Sequence, residues 1–207
     1  MTLPPPRATQ EAQPFIPYIS EDKVVDLLGD IVKPYMKRMG FLPNALKLYA
    51  HRPQIAETLF KLNSNIMRDP SQTVDQQLKR KLAAIACKIN GCSYCTAHSC
   101  AMLRAPKTSM SEGWGLSDDE VQNLLDGGYQ PKDDFEDVCI EYVRTASATP
   151  TAVPDELLTR MKKLMTPPQI IEVACLVGFW KFYNTVHDSL HIPLEQNLLP
   201  DSGWVDV

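Results

Sequence analysis

Four cysteines, Cys87, Cys92, Cys95 and Cys100, fall within fourteen positions, while Cys139 and Cys175 stand apart. Cys92 and Cys95 form a CxxC pair in the run Asn90-Gly-Cys-Ser-Tyr-Cys-Thr-Ala-His-Ser99. Gly91 breaks whatever precedes it and no strand alternation follows, so Cys92 is expected at or near the first turn of a new helix. Residues three apart on a helix have Cα atoms roughly 5 to 6 Å apart, inside the window a disulfide tolerates, so the two sulfurs can join and part with little backbone movement. The unpaired amides of a helix start favour a thiolate over a thiol, which predicts a nucleophilic sulfur. Two other readings stay open, an inert coincidence of spacing and a metal half-site of Cys92, Cys95 and His98 with Cys100. Structural zinc draws its second pair of ligands from a separate element, and no second CxxC or Cys/His pair supplies one. His98 and Ser99 follow Cys95 by three and four residues, so both project near its face and could hydrogen-bond the sulfur or a bound water. His98 reads equally well as an ordinary surface histidine.

Helices must position this pair. Apolar residues recur at three and four, and nine glycines accompany 17 prolines, which points to an all-α protein punctuated by prolines. Residues 1–19, with Pro4, Pro5, Pro6, Pro14 and Pro17, read as an extended arm or a mobile tail, and 20–207 as one helical domain. Within the domain, a CxxC half spans about 40–105 and a second half about 116–195. A helix is predicted over 21–39 with a kink at Pro34, ended by Gly40, and a short one over 44–50. Another opens at Pro53 with Ile55, Leu59, Leu62 and Ile66 as its buried face. Thr73 with Gln76 has capping-box spacing ahead of a helix ending at Asn90-Gly91, and Ser117 with Glu120 caps another, closed by Gly127-Gly128. Residues 104–115 read as a loop that either covers the site or meets another subunit. Helices follow over 133–148, 155–165 and 167–190, the last opened by Thr166-Pro-Pro-Gln169.

The composition narrows the function. Apolar residues make up 44% of the 207-residue chain, enough for a genuine core. Lysine plus arginine totals 21 against 25 acids, a formal net charge of -4, so no basic field for nucleic acid exists. No stretch approaches the roughly 20 apolar residues that cross a bilayer, and the first ten residues lack a secretory layout. A cytoplasmic protein is expected. In a reducing compartment an intracellular CxxC is redox-active or metal-binding rather than a permanent staple.

The stretch Ala86-Cys-Lys-Ile-Asn-Gly-Cys-Ser-Tyr-Cys-Thr-Ala-His98 resembles the core of the carboxymuconolactone decarboxylase superfamily, in its alkylhydroperoxidase D (AhpD)-like, peroxidase-related branch. Gly40-Phe-Leu-Pro-Asn44, Leu116-Ser-Asp-Asp-Glu120 and the segment from Phe135 through Leu194 resemble the branch's entry region, connector and C-terminal half, so the likeness spans about 40–200. It implies an all-α AhpD-like fold assembled as a homotrimer or homohexamer. It also implies a thiol peroxidase in which Cys95 attacks a hydroperoxide, Cys92 resolves it as a disulfide, and a dithiol reductant or reductase protein restores the pair, with no cofactor and no bound metal. The family's proton relay has a glutamate twelve residues before the first cysteine and a histidine four after the second. Arg80 and Ser99 stand at those positions here. His98, one position away, is the candidate replacement for the histidine, Arg80 a candidate electrostatic support for a thiolate, and Tyr94 and Glu57 are further supporting candidates. These departures keep a second expectation alive, a degenerate redox-sensing or assembly protein that does not turn over. A lactone decarboxylase, which needs no CxxC, is a more distant one.

His187-Asp-Ser-Leu-His191 has the outline of a two-histidine zinc helix, but the shorter acid and Pro193 weaken it, and a helix end or subunit contact is the plainer reading. Phe179, Trp180, Phe182 and Tyr183 read as core and subunit interface. No glycine-rich phosphate loop is present.

Overall fold

The computed structural model describes residues 14–105, 113–195 and 198, with the backbone alone at Arg38. Among them lie nine helices and no strand: α1 (Glu21–Met39), α2 (Asn44–Tyr49), α3 (Pro53–Arg68), α4 (Gln76–Ile89), α5 (Ser93–Arg104), α6 (Asp118–Asp126), α7 (Asp134–Ser147), α8 (Asp155–Leu164) and α9 (Pro167–Ser189). The chain is all-α. Most of the loop over 104–115 and the first thirteen residues of the arm lie outside the described residues, but Ile16 and Tyr18 pack on the cluster that contains the cysteines. No described helix is long and apolar enough to cross a membrane.

α4 is the hub. Leu82, Ala83, Ala84, Ile85, Ala86 and Cys87 are all buried, and the three alanines let α5, α7 and α9 approach its axis closely. Each fully buried leucine or isoleucine there contributes about 1.5–3 kcal/mol of transfer free energy. The ends of the helices follow local chemistry. Ser117 and Glu120 complete a reciprocal capping box and Gly127 closes α6 at φ 91°, and Thr166 with Gln169 does the same at the start of α9.

Three expectations are corrected. α4 is capped by Asp75, whose carboxylate accepts the Leu78 amide at 3.1 Å, and not by Thr73. Thr73 donates from its amide and hydroxyl to Glu172 of α9 instead, a long-range pairing that outcompetes the local box. The break in α1 falls at Leu28 (φ -131°, ψ 23°), while Pro34 sits inside continuous helix, and the bend keeps Val24, Leu28 and Val32 buried together. On α3 the buried stripe is Ala56, Phe60, Asn63, Ile66 and Met67, leaving Ile55 and Leu62 each 44% exposed. The aromatic ring decides the face: Phe60 sits edge-on to Tyr35, Tyr49 and Tyr183, with ring centroids at 5.3, 6.0 and 6.4 Å.

Candidate active site

α4 and α5 form a tight helical hairpin. Asn90 caps α4, Gly91 turns the chain at φ 80°, and the Cys92 amide donates back to the Cys87 carbonyl at 3.2 Å. Cys92 is the N-cap of α5, its sulfur accepting the Cys95 amide at 3.4 Å, so the CxxC pair occupies the helix start that its sequence predicts. Cys92 and Cys95 are 1% and 2% exposed. Only Cys95 reaches the wall of a cavity of about 100 Å³.

The partner of Cys95 comes from the far end of the chain. His187, near the C-terminus of α9, places Nδ1 3.1 Å from Cys95 Sγ. Its ring is enclosed by Tyr49, Tyr94 and Tyr183, with centroids 5.6, 5.3 and 5.0 Å away. Burial, reinforced by His98, drives its pKa down to about 3, so the imidazole is neutral at physiological pH. Burial likewise pushes the Cys95 thiol well above its ordinary range, with Cys87 and Cys92 adding to the effect. The amides at the helix start favour the thiolate, while burial acts in the opposite direction and is the larger effect at Cys95. A protonated thiol beside a neutral imidazole makes S–H the donor and Nδ1 the acceptor, which leaves the ring proton on Nε2. Nε2 has no hydrogen-bond partner among the described residues.

A second polar group adjoins the cavity through Tyr94 and His98. His98 Nε2 lies 2.7 Å from Glu195 Oε2, and Glu195 also accepts from the Tyr94 hydroxyl at 2.8 Å and from the Asn44 amide. Burial alone would raise the Glu195 carboxyl, but His98 and the hydrogen bonds from His98, Asn44 and Tyr94 outweigh it and hold the carboxyl below its usual range. Tyr94 is pushed well above 10 by burial and by Glu195. Asn44 also donates to the Pro193 carbonyl at 3.0 Å, so the segment following α9 is tied down beside the cysteines.

Of the residues singled out from sequence, Arg80, Tyr94, Cys95, His98 and Ser99 share the cavity wall. Cys92 lies behind it, and Glu57 is on the exposed face of α3 away from it. His98 is turned to Glu195, and the histidine on the sulfur is His187. Ser99 is buried with its hydroxyl 3.8 Å from Cys87 Sγ. Tyr35, Phe60, Trp180 and Tyr183 also line the cavity, so two of the residues expected in core and interface face it. Glu195, Tyr49 and Asn184 were not singled out from sequence as site residues, and His187 was weighed only as half of a two-histidine zinc helix. The one available signal was the density of polar residues at the end of the apolar helix α9, at His187, Asp188 and His191. The two histidines do not share a helix face, because α9 ends at Ser189 and His191 is exposed at φ 50°. Among the described residues no group of three or more His, Cys, Asp or Glu side chains is arranged to hold a metal.

No protein-family model matches the sequence, and no curated protein does. Solved structures do match the fold. The debrominase Bmp8 in complex with 2,3,4-tribromopyrrole superposes with a TM-score of 0.72 over 87% of this chain and 91% of that one, at 18% identity. The AhpD core of an uncharacterized peroxidase-related protein from Ralstonia eutropha JMP134 gives 0.71 over 90% and 96%, at 15% identity. An uncharacterized peroxidase-related protein from Silicibacter sp. TM1040 gives 0.74 over 93% and 96%, at 14% identity. The chain has the all-α AhpD-like fold.

Proposed function

We propose that this AhpD-fold protein is a thiol-dependent oxidoreductase that reduces hydroperoxides through Cys95 and Cys92. The observation that carries the reading is the Cys95 sulfur, 3.1 Å from a neutral His187 nitrogen at the wall of an aromatic-lined cavity. A hydroperoxide in that cavity meets a nucleophile with its base already in contact. His187 Nδ1 takes the thiol proton as sulfur attacks the distal peroxide oxygen. The S–O bond forms, the O–O bond breaks, and the imidazolium returns the proton to the departing alkoxide. Cys92 then attacks the sulfenic acid, giving the Cys92–Cys95 disulfide and water, and an external dithiol reduces the disulfide. His187 thus takes the proton-transfer role for which the sequence offered His98, and Arg80 on the cavity wall is suited to stabilising negative charge as it develops.

The test is stoichiometric. One equivalent of cumene hydroperoxide per reduced chain should be consumed with loss of the Cys92 and Cys95 thiols and formation of their disulfide. Peroxide left intact, or consumed equally well by Cys95→Ser, overturns the reading.

The elevated thiol of Cys95 favours a second reading, a dithiol that oxidises slowly and reports oxidation without turnover. It predicts a disulfide that forms once and no sustained consumption when dithiothreitol is supplied. Assembly as a homotrimer or homohexamer is part of the proposal, supported by exposed apolar side chains at Ile55, Leu62, Ile171 and Phe182. A sedimentation profile showing only monomer overturns that part.

A further inference from the structure

Cys95 has two sulfur neighbours, and the CxxC motif accounts for one. The other is Cys87, in the last turn of α4 and fully buried. Asn184 Nδ2 donates to Cys87 Sγ at 3.4 Å, and Asn184 is itself fixed by the Asn90 side-chain amide at 2.7 Å. Asn184 and His187 are three apart on α9 and so share a face, one gripping Cys87 and the other Cys95. α5 repeats the arrangement. Ser99, one turn beyond Cys95, brings its hydroxyl 3.8 Å from Cys87 Sγ. Cys87 and Cys95 are thus held by the same two helices, α5 and α9, and the Cys87 side chain acts directly on the Cys95 thiol. A third cysteine with a dedicated amide donor is more than a packing group of convenient size.

We propose that Cys87 is a second resolving thiol for Cys95, a role that rests on the hydroperoxide reading above. Once Cys95 is a sulfenic acid, Cys87 attacks its sulfur. The S–S bond forms, the S–O bond breaks, and the hydroxyl leaves as water with the Cys87 proton; the two electrons have already gone to the hydroperoxide. Cys92 can then attack the Cys95 sulfur of that bond, regenerating the Cys87 thiol and leaving the CxxC disulfide for the external reductant. The added route shortens the time that Cys95 spends as a sulfenic acid, the form that excess peroxide converts irreversibly. It also predicts that removing Cys92 alone does not leave Cys95 undefended.

The sequence provides a clean assay. Lys88 separates Cys87 from the segment Ile89–Arg104, so trypsin places Cys87 and Cys95 on different peptides. In Cys92→Ser/Cys100→Ala, Cys95 is the single cysteine of its peptide, and serine at position 92 can still cap α5. Reduced protein is given one equivalent of cumene hydroperoxide, alkylated and mapped by mass spectrometry. The expected result is a disulfide joining the Cys87 and Cys95 peptides as the main product of Cys95 oxidation. Adding Cys87→Ala should abolish it and raise sulfinic and sulfonic acid at Cys95 at least fivefold. Oxidised Cys95 with Cys87 still alkylated, or crosslinked instead to the exposed Cys175, overturns the inference and leaves the hydroperoxide reading standing. Cys95 unoxidised in every variant, wild type included, overturns both.

Discussion

α4 carries a buried polar cluster at each end, and the two are built in opposite ways. At its start Lys79 and Lys81 are buried with every charge matched. Lys79 Nζ donates to the Ile66 carbonyl at 2.8 Å and pairs with Glu172 at 2.6 Å, and Lys81 pairs with Glu136 at 2.8 Å and bonds the Tyr129 hydroxyl. Glu136 takes a further amide from Lys132 at 2.9 Å. At the other end, around Cys87, Cys92 and Cys95, the Tyr49 hydroxyl, the Tyr183 hydroxyl and His187 Nε2 have no hydrogen-bond partner among the described residues. Burial carries a penalty in both places, so saturation at one end fits a structural role, and unsatisfied groups beside a sulfur and a cavity fit the chemistry proposed for them.

The contrast can be broken from either side. The largest effect on stability is expected from the saturated end. Glu136→Ala strands the Lys81 charge and should destabilise the fold by about 3–5 kcal/mol in a denaturant titration, with the rate of the remaining folded protein toward hydroperoxide unchanged. His187→Gln should do the reverse. Loss of the proposed base should lower the hydroperoxide rate about 100-fold, equivalent to roughly 2.7 kcal/mol of barrier, with a smaller change in stability. A rate that survives His187→Gln would remove the distinction between the two ends.

The pH dependence sharpens it. His187 titrates near 3 in the fold against an ordinary 6.5, so the unfolded chain binds the extra proton across that window. Stability from His187 is complete above about 6.5 and is lost as pH falls toward 3. Tyr49, Tyr94, Tyr183, His98 and Glu195 surround it, and the depressed Glu195 carboxyl adds a loss in the same direction at the acid end. A His187→Phe variant should show a flatter decline between pH 6.5 and 3 in thermal melts, and an unchanged slope would contradict the assignment. Smallest of all is Glu57→Gln, exposed on α3, which should shift stability by less than about 0.5 kcal/mol and leave the rate alone.

What could be read from sequence was local. The Ser117 and Thr166 caps, the Gly40 and Gly127 stops and the CxxC at a helix start depend on residues within a few positions of one another, and each stands where its pattern places it. Pairings across the chain were not legible. Thr73 gave up its capping box for Glu172, α3 turned to give Phe60 its aromatic neighbours, and Cys95 met a histidine 92 positions away. His98 was near enough to be noticed, but Glu195, contributed by the segment beyond α9, turns its ring away from the sulfur. The helices were written in short-range patterns, and the histidine beside Cys95 was set by how α9 packs on α5.

Steady-state consumption of cumene hydroperoxide with dithiothreitol, followed in parallel for wild type, Cys95→Ser and His187→Gln at pH 7, tests the central claim most directly. Sustained turnover is expected in the wild type, background consumption in Cys95→Ser and a rate about two orders of magnitude down in His187→Gln. Equal rates in all three, or none above background in the wild type, would contradict it.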